Sequence, residues 1–234
     1  MKIGILAALQ EEIDALLREM KSDQISEIGK RQYHEGKLWG QDCVLVFSRI
    51  GKVAAASTAT TLIQNFKVQE VLFTGVAGGV QAGLHPGDVV IGTELFQHDM
   101  DASPIFPKYE VPLLGISRFK TDAHLAQKLQ TAAENFLKGK AKVVRGNIAS
   151  GDRFIADTET IRSFRQSHPD LLCVEMEGAA VAQICHEFGI PFSIVRTLSD
   201  TADEHAPMSF QKFIEEVASQ YSYGIIREYL SDRS

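Results

Sequence analysis

Short apolar runs alternate with longer amphipathic ones along this chain. Ile3–Ala8 is apolar throughout and reads as a buried strand. Glu11–Met20 follows with Ile13, Leu16, Leu17 and Met20 at helical spacing. Gln32–Leu38 and Cys43–Ser48 flank Trp39-Gly40-Gln41-Asp42 and predict a hairpin. Val53–Phe66 is an Ala/Thr-rich helix, small enough on one face to lie close to a sheet. Strands are predicted over Glu70–Thr74, which runs into Gly75-Val76-Ala77-Gly78-Gly79, and over Val89–Leu95 after the turn Pro86-Gly87-Asp88.

Asp99–Phe119 shows no period. It holds Pro104, Pro107 and Pro112 among Phe106, Tyr109 and Phe119, and predicts a long, apolar, functional loop. Beyond it come a helix over Thr121–Leu137 with Thr121 as N-cap, a strand over Val143–Ala149 and a helix over Thr158–Ser167. A strand over Leu171–Glu175, a helix over Gly178–Phe188 and a strand over Phe192–Leu198 follow, then a last helix over Ser209–Tyr229. This alternation predicts an α/β fold: one domain over 1–234, with a mixed central β-sheet flanked by helices. In such sheets ligands bind beyond the carboxyl ends of the strands.

The composition narrows the function. With 24 Lys and Arg against 30 Asp and Glu, the net charge is −6, and no basic block offers a grip on nucleic acid. Cys43, Cys173 and Cys185 sit in apolar surroundings without a CxxC spacing and read as reduced core thiols. No run is long and apolar enough to span a membrane, and the first apolar residues meet Glu11-Glu12 where a leader would need a cleavage site. A cytoplasmic location without membrane contact is expected.

The strand ends carry the chemistry. If they are neighbours, Glu12, Glu177 and Asp200 converge on one cleft. Glu12 could equally be a first-turn helix acid and Asp200 a turn cap. Glu177 lies among Val174, Met176, Ala179, Ala180, Val181 and Ala182, where a carboxylate needs a partner or a function. The glycines at 75, 78 and 79 fit neither a P-loop nor a dinucleotide fingerprint. His98-Asp99-Met100-Asp101 reads as a loop anchor rather than a metal site, and no serine has a G-x-S-x-G setting. No cofactor and no metal is expected.

Seven segments in order resemble the nucleoside phosphorylase superfamily, and within it the 5′-methylthioadenosine/S-adenosylhomocysteine nucleosidases. They are Lys2–Ile5 with Glu11-Glu12, Ile50–Ala56, Thr74–Gly79, His98–Asp101, Ser150–Ile155, Val174–Glu177 and Val195–Asp200. The resemblance implies hydrolysis of the N-glycosidic bond of methylthioadenosine and S-adenosylhomocysteine to adenine and the 5′-thio-substituted ribose. Aminodeoxyfutalosine hydrolysis and purine nucleoside phosphorolysis are the alternatives. It further implies that Asp200 is the acid for adenine N7 and Glu12 the base for water. Met176 and Glu177 would hold the ribose, Phe154 would stack on adenine, and the Ile155 backbone would read the purine edge. Ser199 would orient the acid, with Ile50, Ala77 and Gly78 lining the sugar and water. Val76 stands where many relatives carry Ser.

The same resemblance sends the 99–119 loop into a neighbouring subunit's pocket, which implies a homodimer with Ile105, Phe106 and Tyr109 buried by the second copy. Leu9, Ile50, Met176 and Phe210 are expected to form an apolar wall around the 5′ substituent, with no charged residue among them.

Overall fold

The computed structural model of the chain describes residues 1–203 and 205–231. Its strands are β1 (Ile3–Ala7), β2 (Lys21–Ile28), β3 (Arg31–Leu38), β4 (Gln41–Phe47), β5 (Glu70–Gly79), β6 (Val89–Gln97), β7 (Phe119–Lys120), β8 (Val143–Ser150), β9 (Leu171–Glu175) and β10 (Phe192–Asp200). Its helices are α1 (Gln10–Glu19), α2 (Lys52–Gln64), α3 (Ala123–Leu137), α4 (Thr158–Ser167), α5 (Gly178–Phe188), α6 (Ala206–Phe213) and α7 (Ser219–Ser231). The strands form one mixed sheet in the order β10-β6-β8-β9-β5-β1-β4-β3-β2. β10 also pairs with β5, so β5, β9, β8, β6 and β10 close into a ring, from which β1 to β4 extend as an open wing.

The ring depends on β5, which outruns the predicted Glu70–Thr74. Its first half pairs with β1, from Glu70 to Phe73, and its last residues Gly78 and Gly79 pair with β9. The glycine run beyond Thr74 is therefore strand. Helices α2 and α5 cover one face of the sheet over Ala55, Ala59, Leu62, Val181 and Cys185. Helices α1, α3 and α7 cover the other over Ile13, Leu16, Leu129, Ile225 and Leu230. Cys43, Cys173 and Cys185 are all buried, and no disulfide joins them. Among the described residues no helix is long and apolar enough to cross a membrane.

Three elements differ from the sequence reading, each for a local reason. β2 has no apolar alternation because it is an exposed edge, with Ile25 and Ile28 its apolar side chains. Asp122, not Thr121, caps α3 and accepts the N–H groups of His124 and Leu125 at 2.9 Å each; Thr121 Oγ1 donates to the Gly92 carbonyl instead. The last helix begins at Ala206 and is divided by one π-turn over Ile214–Ala218. In the 99–119 segment Tyr109 packs edge-on to Phe96 and His168 of its own chain and is half-buried, while Ile105 is 81% exposed.

The C-terminal helix is tied to the sheet by two buried polar bonds, one between Ser222 Oγ and Thr74 Oγ1 at 2.9 Å and one from Tyr229. Tyr229 Oη donates to Glu70 Oε1 at 2.6 Å, with both residues almost fully buried. A bond to a charged acceptor contributes about 1.5–3 kcal/mol. Tyr229→Phe is expected to lower the unfolding free energy by about that amount; an unchanged urea midpoint would show that the bond is idle.

Candidate active site

Five strand ends meet over one cavity of about 330 Å³. All eleven residues singled out in the sequence line it: Glu12, Ile50, Ala77, Gly78, Phe154, Ile155, Met176, Glu177, Ser199, Asp200 and Phe210. Leu9 and Val76 join them, as do four residues whose weight the sequence did not reveal: Arg153, Val174, Glu175 and Arg196.

Glu12 enters from the first turn of α1 and is 1% exposed. Its Oε2 accepts the N–H of Ala8 at 2.8 Å and of Leu9 at 2.9 Å, and its Oε1 accepts that of Val76 at 3.0 Å. The bland reading of Glu12 is thus correct as well: it closes the start of its helix while facing the cavity. Burial pushes its pKa above the ordinary range, against the pull of Arg196 and the three backbone donors. Such acceptor-only bonding suits the ionised form.

Asp200 ends β10. Its Oδ2 accepts from Ser199 Oγ at 2.7 Å and its Oδ1 from the Ala202 N–H at 2.7 Å. Burial raises its pKa, against the pull of these two bonds. Both acids need the glycines of β5. A Cβ on Gly75 would lie 2.9 Å from Glu12 Oε1 and 3.0 Å from Arg196 Nη1, and one on Gly78 would lie 2.9 Å from Asp200 Oδ1.

Beneath the cavity lies a buried ion pair. Arg196 sits in mid-strand on β10, 1% exposed, and its Nη2 donates to Glu175 Oε2 at 2.7 Å. Its guanidinium lies 4.0 Å from the centre of the Phe73 ring. Glu175 also accepts from Ser150 Oγ and from the N–H groups of Glu177 and Gly178, at 3.2 and 2.8 Å, and so seats the N-terminus of α5. The sequence signal was available: a lone cation inside the apolar strand Phe192–Leu198, and a second acid two residues before Glu177.

Glu177 follows. Its Oε1 accepts the Gly51 N–H at 2.7 Å, which ties it to the segment holding Ile50. Burial first, then the neighbouring charge of Glu175, push its pKa up to about 8. Around the rim, Asp99 accepts from Lys52 Nζ at 2.6 Å and from the Asp152 N–H at 2.9 Å, the anchoring role expected of the His98–Asp101 segment.

The proton affinity of Glu177 has a consequence for stability. Its folded pKa lies above the ordinary 4.5, so between about pH 4.5 and 8 the folded state binds the proton more tightly than the unfolded chain. The contribution is present below that window and is lost as pH rises through it. Glu177→Gln keeps an acceptor for Gly51 but cannot ionise. The variant's Tm relative to the parent is therefore expected to rise from pH 5 to about 8 and to level off above it; a constant offset would count against a protonated Glu177.

Comparison with known proteins follows the same lines. A model of the phosphorylase superfamily matches residues 2–231. A 5′-methylthioadenosine/S-adenosylhomocysteine nucleosidase of Actinobacillus succinogenes is 41% identical over 222 residues, 94% of each chain. The crystal structure of a nucleosidase of the same name from Neisseria meningitidis, in complex with methylthio-immucillin-A, superposes with a TM-score of 0.93 at 38% identity over 99% of each chain. The native structure of futalosine hydrolase of Helicobacter pylori superposes with a TM-score of 0.89 at 34% identity, over 99% of this chain and 98% of that one.

Proposed function

The chain belongs to the phosphorylase superfamily, and from that premise we propose that it is a purine nucleosidase. It hydrolyses the N-glycosidic bond of 5′-methylthioadenosine and S-adenosylhomocysteine, releasing adenine and the 5′-thio-substituted ribose. The observation that carries this reading is the pair of buried acids on the same cavity, Glu12 held by three backbone donors and Asp200 held beside a hydroxyl.

The chemistry needs such a division of labour. Adenine leaves poorly as an anion, so an acid must protonate N7 as the bond breaks. Asp200, with its raised proton affinity, takes that role, and Ser199 orients it. The sugar passes through an oxocarbenium-like state and water must reach its anomeric carbon from the other side. Glu12 accepts the proton of that water, with Val76, which lacks a hydroxyl, offering only its backbone there. Glu177 holds the ribose hydroxyls next to Met176. Phe154 and the Ile155 backbone hold the purine, while Ile50, Ala77, Gly78 and Phe210 close the sugar side. The whole chain, 1–234, works as one nucleosidase domain without cofactor or metal.

Hydrolysis is favoured over phosphorolysis by charge. A phosphate site wants free cations, and Arg196 is already committed to Glu175. The product with methylthioadenosine is therefore expected to be free methylthioribose at a rate independent of phosphate. Formation of a sugar 1-phosphate would replace this reading with a phosphorylase, and adenine release from aminodeoxyfutalosine alone would replace the substrate.

We also propose a cytoplasmic homodimer in which the 99–119 loop meets the second copy. Ile50, Val53, Ile105 and Leu113 are 54%, 81%, 81% and 92% exposed, an apolar surface that a second copy would cover.

Asp200→Asn and Glu12→Gln are each expected to lower kcat/KM about 10²–10⁴-fold. The alkaline fall in kcat/KM assigned to Asp200 should vanish in Asp200→Asn. Glu12→Gln should also cost about 1–3 kcal/mol of stability, because an amide cannot accept all three N–H groups. Near-normal turnover in either folded variant would overturn the assignment. The apolar wall of Leu9, Ile50, Met176 and Phe210 should favour methylthioadenosine over adenosine about ten- to a hundredfold in kcat/KM. Equal values would mean that a polar pocket surrounds the 5′ carbon.

A further inference from the structure

The wall of the cavity is not wholly apolar. Of the two cations that line it, Arg196 is locked to Glu175 beneath the floor, whereas Arg153 stands at the rim beside Phe154 with its side chain 64% exposed. Its ion-pair partner is Asp157, four residues on in the chain, at 2.9 Å. An exposed pair of this kind is weak and exchanges readily for another anion.

A second groove adjoins the cavity. It has a volume of about 430 Å³ and shares Phe154 and Phe210, whose rings meet edge to face at 5.5 Å. Its other walls include Glu11 on the first turn of α1 and Glu215 on the π-turn, both exposed and without an ion pair among the described residues. A substituent too long for the cavity would leave past these two rings. It would find a guanidinium on the cavity side and two carboxylates in the groove.

We infer that Arg153, with Glu11 and Glu215 across the two aromatic rings, forms a subsite for an α-amino acid at the end of the 5′ substituent. Arg153 takes the carboxylate, for which its planar fork is suited, and the glutamates take the ammonium. This rests on the nucleosidase reading and deepens it. The cavity alone accepts a methylthio group, and the rim gives the chain a preference among longer tails according to their charge. The site selects a zwitterion, since an anionic tail alone would face Glu11 and Glu215 and a cationic one would face Arg153.

The test compares three thioethers of one nucleoside: methylthioadenosine, butylthioadenosine and S-adenosylhomocysteine. Butylthioadenosine has a tail of similar reach without charge. In Arg153→Ala, and separately in the double variant Glu11→Gln with Glu215→Gln, kcat/KM for S-adenosylhomocysteine relative to butylthioadenosine is expected to fall about three- to tenfold, through KM. In the parent that ratio should fall as salt rises, and with Arg153→Ala, Glu11→Gln and Glu215→Gln combined it should be nearly flat. A ratio that the variants leave unchanged, or a salt dependence that survives all three substitutions, overturns the subsite while the nucleosidase reading stands. If the parent releases adenine from none of the three, the nucleosidase reading falls and the subsite with it.

Discussion

One guanidinium buried in the middle of a strand sets the terms for the site. Arg196 is almost fully buried, and a buried charge is tolerated only when paired and hydrogen-bonded. Glu175 supplies that pairing directly, while Glu12 and Glu177 lie close enough for their charges to act on it. One cation thus stands among three carboxylates in a dry space, and the imbalance is relieved by protons. Glu177 is driven up to about 8 by burial and by Glu175. Glu12 is pushed up by burial as well, against the pull of Arg196 and of its three backbone donors, which fix where its oxygens point. Remove the arginine, and the arrangement of acids has no counter-charge around which to assemble.

The backbone makes room for this crowding. β5 passes between Glu12 and Asp200, and side chains at Gly75 and Gly78 would collide with both. The same stretch lets β5 leave β1 and take up β9, which closes the five-strand ring and brings Glu175 under the cavity. The glycines therefore serve a close approach of backbone to carboxylate, not a turn and not a phosphate loop.

Much of this was legible in the sequence where burial and period coincide. Eight strands and the amphipathic helices follow from apolar runs, and Glu177 announced itself as an acid in apolar company. β2 was illegible because an exposed edge strand needs no apolar face, and its Lys21, Ser22, Asp23 and Gln24 read as loop. The length of β5 was hidden because glycine is a turn signal in one dimension and a clearance in three. Asp122 displaced Thr121 as cap because a carboxylate accepts two N–H groups at once. The pairing of Glu175 with Arg196 was not legible because neither explains itself alone; each is intelligible only as the other's partner across β9 and β10. Arg153 was missed on the wall for the opposite reason, since an exposed arginine in a loop is ordinary until a cavity is seen beside it.

Glu12 shows how tightly folding and reactivity are bound together in this chain. Its carboxylate finishes the first turn of α1 and holds β5 at Val76. A descendant that exchanged this acid for an apolar or basic side chain would leave three inward N–H groups without an acceptor before any new chemistry could be selected. Divergence toward a phosphate-using relative therefore meets its first obstacle in the folding of α1. A lineage can cross it only if a second residue takes over the cap beforehand, so the order in which the two substitutions arise is constrained by the geometry of one helix start.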